Sequence, residues 1–80
     1  MKIKIRYFAS IKEILGKNEE EIEVEEGITA GALKEKLRNI HSKITEKEQL
    51  LIAINGGFVD PNKIIKKGDI VALFPPVSGG

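Results

Sequence analysis

The residues that invite chemistry stand together at the end of the chain, in Phe74-Pro75-Pro76-Val77-Ser78-Gly79-Gly80. Gly80 has no Cβ, so its α-carboxylate can enter a channel too narrow for any other residue. Pro75 and Pro76 fix φ and stiffen the base of the segment toward polyproline II. Residues 75–80, at ~3.3 Å each, reach roughly 20 Å beyond the last strand. The sequence thus describes a body with a stiff-based, thin-tipped arm that presents a carboxylate. With a pKa around 3.5 that group is ionised at neutral pH and is a poor acylating agent until another protein activates it.

The rest of the chain offers no competing chemistry. There is no cysteine, which excludes a thiolate nucleophile, a disulfide framework and a Cys-ligated metal. His41 is the only histidine. It is a poor metal candidate on its own, and as a cation near a helix end it would favour the dipole. Gly56-Gly57 lacks the strand–loop–helix context of a phosphate loop. No metal site is expected. The 80 residues predict one small domain spanning 1–80, with 75–80 as its extended tail. An apolar fraction of 41% is too high for disorder. Thirteen basic and twelve acidic residues leave a net charge of +1, which is no footprint for nucleic acid. Met1 runs straight into the alternating Lys2-Ile3-Lys4-Ile5. That pattern predicts no leader and no membrane span, hence a cytoplasmic protein.

Several elements must carry the arm. Lys2 to Phe8 alternates, with Ile3, Ile5 and Tyr7 on one face and Lys4, Arg6 and Phe8 on the other, as in a half-buried strand. Ser10-Ile11-Lys12-Glu13 fits a capping box and Gly16 a C′ stop, predicting a helix of about two turns. Glu20 to Val24 alternates again, with Ile22 and Val24 inward. The glutamates of Glu19 to Glu26 read as the wet face and ends of an edge strand, where charge discourages edge pairing. Thr29 is a plausible N-cap, Ile28 and Leu33 form a hydrophobic staple, and Leu33, Leu37 and Ile40 make one apolar stripe. Leu50 to Ile54 reads as a strand buried on both faces. Asn55-Gly56-Gly57 turns, Phe58-Val59 pairs briefly, and Ile70 to Phe74 is the last strand, ended by Pro75. This order predicts an α+β β-grasp. The mixed sheet has about five strands, one main helix on one face, a final strand parallel to the first, and a flexible Gly-Gly tail mobile past Pro76.

The sequence resembles the small subunit of molybdopterin synthase, a ubiquitin-like sulfur carrier of the β-grasp superfamily. The likeness spans nearly the whole chain. It is carried by Arg6-Tyr7-Phe8-Ala9 leading into Ile11-Lys12-Glu13 and Gly16, by Gly27-Ile28-Thr29, by Ala53-Ile54-Asn55-Gly56, by Gly68-Asp69, and by Leu73-Phe74-Pro75-Pro76-Val77-Ser78-Gly79-Gly80. Gly-Gly alone is shared by many ubiquitin-like proteins, whereas Pro-Pro-Val-Ser-Gly-Gly after an apolar strand is narrower. The family often has an acidic residue where this chain has Ile70, and Arg where it has Lys12.

The resemblance implies a defined chemistry. An ATP-using, ubiquitin-activating-like adenylyltransferase adenylates Gly80. A sulfur donor protein displaces AMP and leaves a thiocarboxylate. The tail then enters the large synthase subunit, in a heterotetramer, and gives its sulfur to a pterin precursor. Two carriers in turn build the dithiolene that holds molybdenum or tungsten. The chain is then no catalyst alone and binds no cofactor itself; its partners supply the positive charge and acid–base groups. Gly80, with Gly79 before it, is the attachment site. Phe8, Lys12, Phe74, Pro75, Pro76, Val77 and Ser78 are the implied partner contacts. Phe8 could instead cover a loop, and Lys12 could simply be solvated. Two other functions share the Gly-Gly end: a sulfur carrier for thiamine or tRNA thiolation, and a protein modifier conjugated to lysines through Gly80.

Overall fold

The computed structural model describes residues 1–45 and 47–76. The alternation of the first residues becomes β1 (Lys2–Tyr7), which buries Ile3, Ile5 and Tyr7. Then follow α1 (Ala9–Leu15), β2 (Glu19–Glu23), α2 (Ala30–Ile40), β3 (Leu51–Ile54), β4 (Gly57–Phe58) and β5 (Ile70–Phe74). The strands form one sheet in the order β2-β1-β5-β3-β4. β1 is antiparallel to β2 and parallel to β5, while β3 is antiparallel to both β5 and β4. This is the β-grasp arrangement, with the strand that leads into the tail at the centre.

Period-2 alternation divides the sheet into two faces. Tyr7 pairs with Leu73 and Ile5 with Val71. These side chains meet Leu33 and Leu37 of α2 in one apolar cluster with Ile11, Ile44, Ile52, Ile54 and Ile65. Thr29 caps α2 as its position suggests, accepting a bond from the Ala32 amide at 3.2 Å. The next two amides are held from outside the helix: Ala30 N–H by the Lys63 carbonyl at 2.9 Å, and Gly31 N–H by the Pro61 carbonyl at 3.0 Å. Asn55 (φ 51) and Gly56 (φ 86) both take left-handed backbone, which is what a two-residue primed turn between β3 and β4 requires.

Four local expectations need correction. Ser10 is not a cap: α1 begins after Phe8, which makes no side-chain cap. The Phe8 carbonyl accepts from Ile11 at 3.1 Å while its N–H is tied to the Leu73 carbonyl at 3.1 Å, so the end of β1 sets the helix start. Ile40 leaves the stripe and is 50% exposed, because α2 stops at His41. The fourth strand is Gly57–Phe58, one residue earlier than Phe58-Val59, because Gly57 is the partner of Ile54 across the tight turn. Glu20 does not belong to the wet face. It pairs with Ile5 and shares the parity of Ile22 and Val24, so it turns toward the helix side.

Candidate functional site

On the face away from α2, the sequence places small residues where the sheet would otherwise be filled. Ala53 and Ala72 are cross-strand partners at its centre. Around them stand three phenylalanines from three places in the chain. Phe8 follows β1, Phe58 is opposite Ala53 on β4, and Phe74 ends β5. Phe8 meets Phe74 edge to face at 6.4 Å between centroids, and Phe58 meets Phe74 at 5.3 Å with a 60° tilt. Both separations suit aromatic pairing. The rings remain open to solvent all the same: Phe58 is 71% exposed and Phe8 45%. Together with Ala9, Gly56, Pro75 and Pro76 these residues line an open, almost wholly apolar groove of about 650 Å³. Contiguous exposed apolar surface of this kind on a small domain marks an interaction site.

The groove brings together Phe8, Phe74, Pro75 and Pro76 of the residues singled out from sequence. Pro75 and Pro76 form part of its wall, so the base of the arm and the aromatic surface are one feature. Lys12 does not line it. That residue is exposed in α1, one turn beyond Ala9. Val77, Ser78, Gly79 and Gly80, and with them the expected mobility past Pro76, lie outside the described residues. Sequence reasoning missed Phe58, Ala53 and Ala72. The available signal was an alanine at the middle of each of two bulky apolar strands, with a phenylalanine just past the intervening turn.

Electrostatics keep charge at the margins of this site. Lys4 pairs with Glu19 at 3.0 Å on the exposed surface, and its hydrogen bond and positive charge hold the Glu19 carboxyl below the usual range. At the start of β5, Asp69 accepts from the Lys66 amide at 2.8 Å and from Asn55 Nδ2 at 2.9 Å. Those bonds, the backbone one first, lower its pKa. Asn55 Oδ1 in turn accepts from the Ile70 amide at 3.0 Å, which locks the β3–β4 turn to β5. Behind the sheet, Glu20 accepts from Tyr7 Oη and meets His41 Nε2 at 2.5 Å. Burial pushes the Glu20 carboxyl up, but these bonds outweigh it and hold the carboxyl below its ordinary value. Burial first, and then Glu20, raise Tyr7 far above an ordinary phenol, so Tyr7 stays a neutral donor. His41 is therefore a structural partner of Glu20 as well as a residue at a helix end.

Among the described residues the groove is lined by phenylalanine, alanine, glycine and proline alone. The profile of the ThiS family matches residues 5–80. The chain belongs to the ThiS family. Among relatives, the molybdopterin synthase sulfur carrier subunit of Haemophilus influenzae is 35% identical over 98% of this chain and 99% of its own length. A solved Pyrococcus furiosus protein assigned as molybdopterin converting factor, subunit 1, is 36% identical. It covers 96% of this chain and 99% of its own, with a TM-score of 0.86. A Helicobacter pylori structure, a complex of subunits 1 and 2 of molybdopterin-converting factor, matches at 27% identity over the full length of both chains with a TM-score of 0.71. The five-stranded β-grasp of this ThiS family member is the ubiquitin-like fold of those neighbours. Among the described residues, no helix is long and apolar enough to cross a membrane.

Proposed function

We propose that this chain is the sulfur carrier subunit of a molybdopterin (or tungstopterin) synthase. The observation that carries the reading is the shared wall of groove and tail. Phe74, Pro75 and Pro76 line the aromatic groove, and the same segment continues into the Gly79-Gly80 end. A partner seated on the groove thereby receives the arm at a fixed origin, and its own catalytic groups lie where Gly80 arrives.

In this reading an activating enzyme spends ATP to convert the Gly80 carboxylate into an acyl adenylate. A sulfur donor expels AMP, and the resulting thiocarboxylate is an anionic nucleophile that needs no base on the carrier. The large synthase subunit then accepts the arm, and the sulfur passes to a pterin precursor. Phe8, Phe58, Phe74, Pro75 and Pro76 anchor the partner, Lys12 faces an acidic group beside the groove, and Val77 and Ser78 line the partner's channel. The carrier itself holds no cofactor. The relatives' names and the Helicobacter pylori pair of subunits support both the role and the large partner.

The decisive experiment is the intact mass of the protein isolated from its native cell without thiols. One oxygen replaced by sulfur, localised to the Gly80 fragment, is the expected result. Gly80 found instead in isopeptide linkage to lysines would assign the chain to protein modification. Deleting Gly80 should abolish sulfur transfer while leaving the thermal transition unchanged; near-normal turnover by that variant would sink the reading.

A further inference from the structure

The aromatic groove does not end at β4. Phe58 also lines a second, smaller cleft of about 270 Å³ around the edge of the sheet, between the β3–β4 turn and the loop before β5. Its apolar lining includes Val59 and Ile64, and Ile64 is 50% exposed although Ile65 beside it is buried. Thr29 and Ile64 form an isolated antiparallel bridge, and Ile65 N–H donates to the Ile28 carbonyl at 2.9 Å. Ile64 is thus held outward by backbone bonds on a fixed segment. Two cations, Lys63 and Lys66, line the same cleft. Among the described residues neither ammonium lies within ion-pair distance of a carboxylate. The one acid there, Asp69, accepts from the Lys66 amide and Asn55; its ionised carboxylate feels both lysines and offsets one of their two positive charges. The cleft therefore combines apolar side chains with a rim of net positive charge, two lysines against one aspartate, and it joins the main groove through one shared ring.

We infer that the β4 edge is a second docking surface, and that its occupant is an acidic segment bearing an apolar side chain on the same partner that seats in the aromatic groove. The inference rests on the docking role proposed for that groove. Charge complementarity selects the occupant: the apolar side chain covers Ile64 and Val59 while its acidic neighbours meet Lys63 and Lys66. Rim charges of this kind act chiefly on the rate and salt dependence of association.

The test is association of the full chain with the large synthase subunit from the same organism, measured by surface plasmon resonance or stopped flow. Lys63→Glu/Lys66→Glu should slow association about tenfold at low salt and flatten its dependence up to roughly 0.15 M NaCl, where the Debye length is about 8 Å. Lys63→Gln/Lys66→Gln avoids placing a new acid beside Asp69 and should give a smaller change in the same direction. Ile64→Ser should speed dissociation severalfold. Lys36→Glu/Lys43→Glu makes the same change in net charge on other faces and should behave nearly as the wild type. An equal loss in that control, or wild-type rates in both Lys63/Lys66 variants, would overturn the inference. If Phe74→Ala weakens binding while the Lys63/Lys66 variants do not, the proposed function stands and only the second surface falls. If the wild-type chain does not associate with the large subunit at all, both fall.

Discussion

The two faces of the sheet are built from the same strands and end in opposite states. Toward α2, β1 and β5 present Ile3, Ile5, Tyr7, Val71 and Leu73, all essentially inaccessible. Away from it, the alternate residues are charged, small, aromatic or an exposed isoleucine: Lys4 and Arg6 on β1 with Phe8 just past it, and Ile70, Ala72 and Phe74 on β5. A single helix can cover one face only. The other carries three phenylalanines around two alanines, the feature on which the proposed docking role rests. Apolar mass on the helix face stabilises the body, whereas on the open face much of it stays exposed.

Substitutions can break this contrast directly. Ile5→Ala removes a fully buried side chain and should cost about 2–5 kcal/mol, read as a large drop in the thermal or denaturant midpoint. Phe74→Ala or Phe58→Ala should weaken association with the large synthase subunit tenfold or more, with a stability loss under about 1 kcal/mol. A thermal loss as large as that of Ile5→Ala would move these rings into the core. Gly31→Ala tests the contact between the start of α2 and the Pro61 segment. A Cβ there meets Pro61 Cβ at 3.2 Å and the Pro61 carbonyl at 3.3 Å. That carbonyl is pinned by its bond to Gly31 N–H, so neither atom can yield easily. The gain in helix propensity should be outweighed by roughly 1 kcal/mol, measured by chemical denaturation.

The smallest effect concerns pH. Glu20 and Asp69 both have lowered pKa values in the folded protein. Their contribution is therefore complete above the ordinary carboxylate range, about 4, and disappears as pH falls through the lowered values. Glu20→Gln and Asp69→Asn should each melt below the wild type at neutral pH, with the gap closing toward about pH 2. The gap for Glu20→Gln should be the larger, because Glu20 is mostly covered and Asp69 is screened by solvent.

The sheet was legible in the sequence because period-2 alternation and turn residues are local signals. Ile3-Ile5-Tyr7, Asn55-Gly56 and the stop at Pro75 each state their role within a few positions, and the Thr29 cap is equally local. The miscast residues depend on what lies across the fold. Ser10 looks like a cap until Leu73 fixes Phe8 from another strand, and Glu20 looks solvated until its pairing with Ile5 turns it inward. The site divides in the same way. Phe8, Phe74, Pro75 and Pro76 adjoin strand ends and could be read in place. Phe58 gains its meaning only from facing Ala53 and Ala72, residues that say nothing until the strands are laid side by side.

The central place of β5 has a mechanical side. Four of its residues pair with β1 and four with β3. A force applied at Pro76 along the strand therefore loads both ladders in shear, all rungs together, whereas a strand at the edge of the sheet would tear from a single neighbour. The thin arm is anchored on a strand held from both sides, so a partner can hold or pull its tip hard without unravelling the domain behind it.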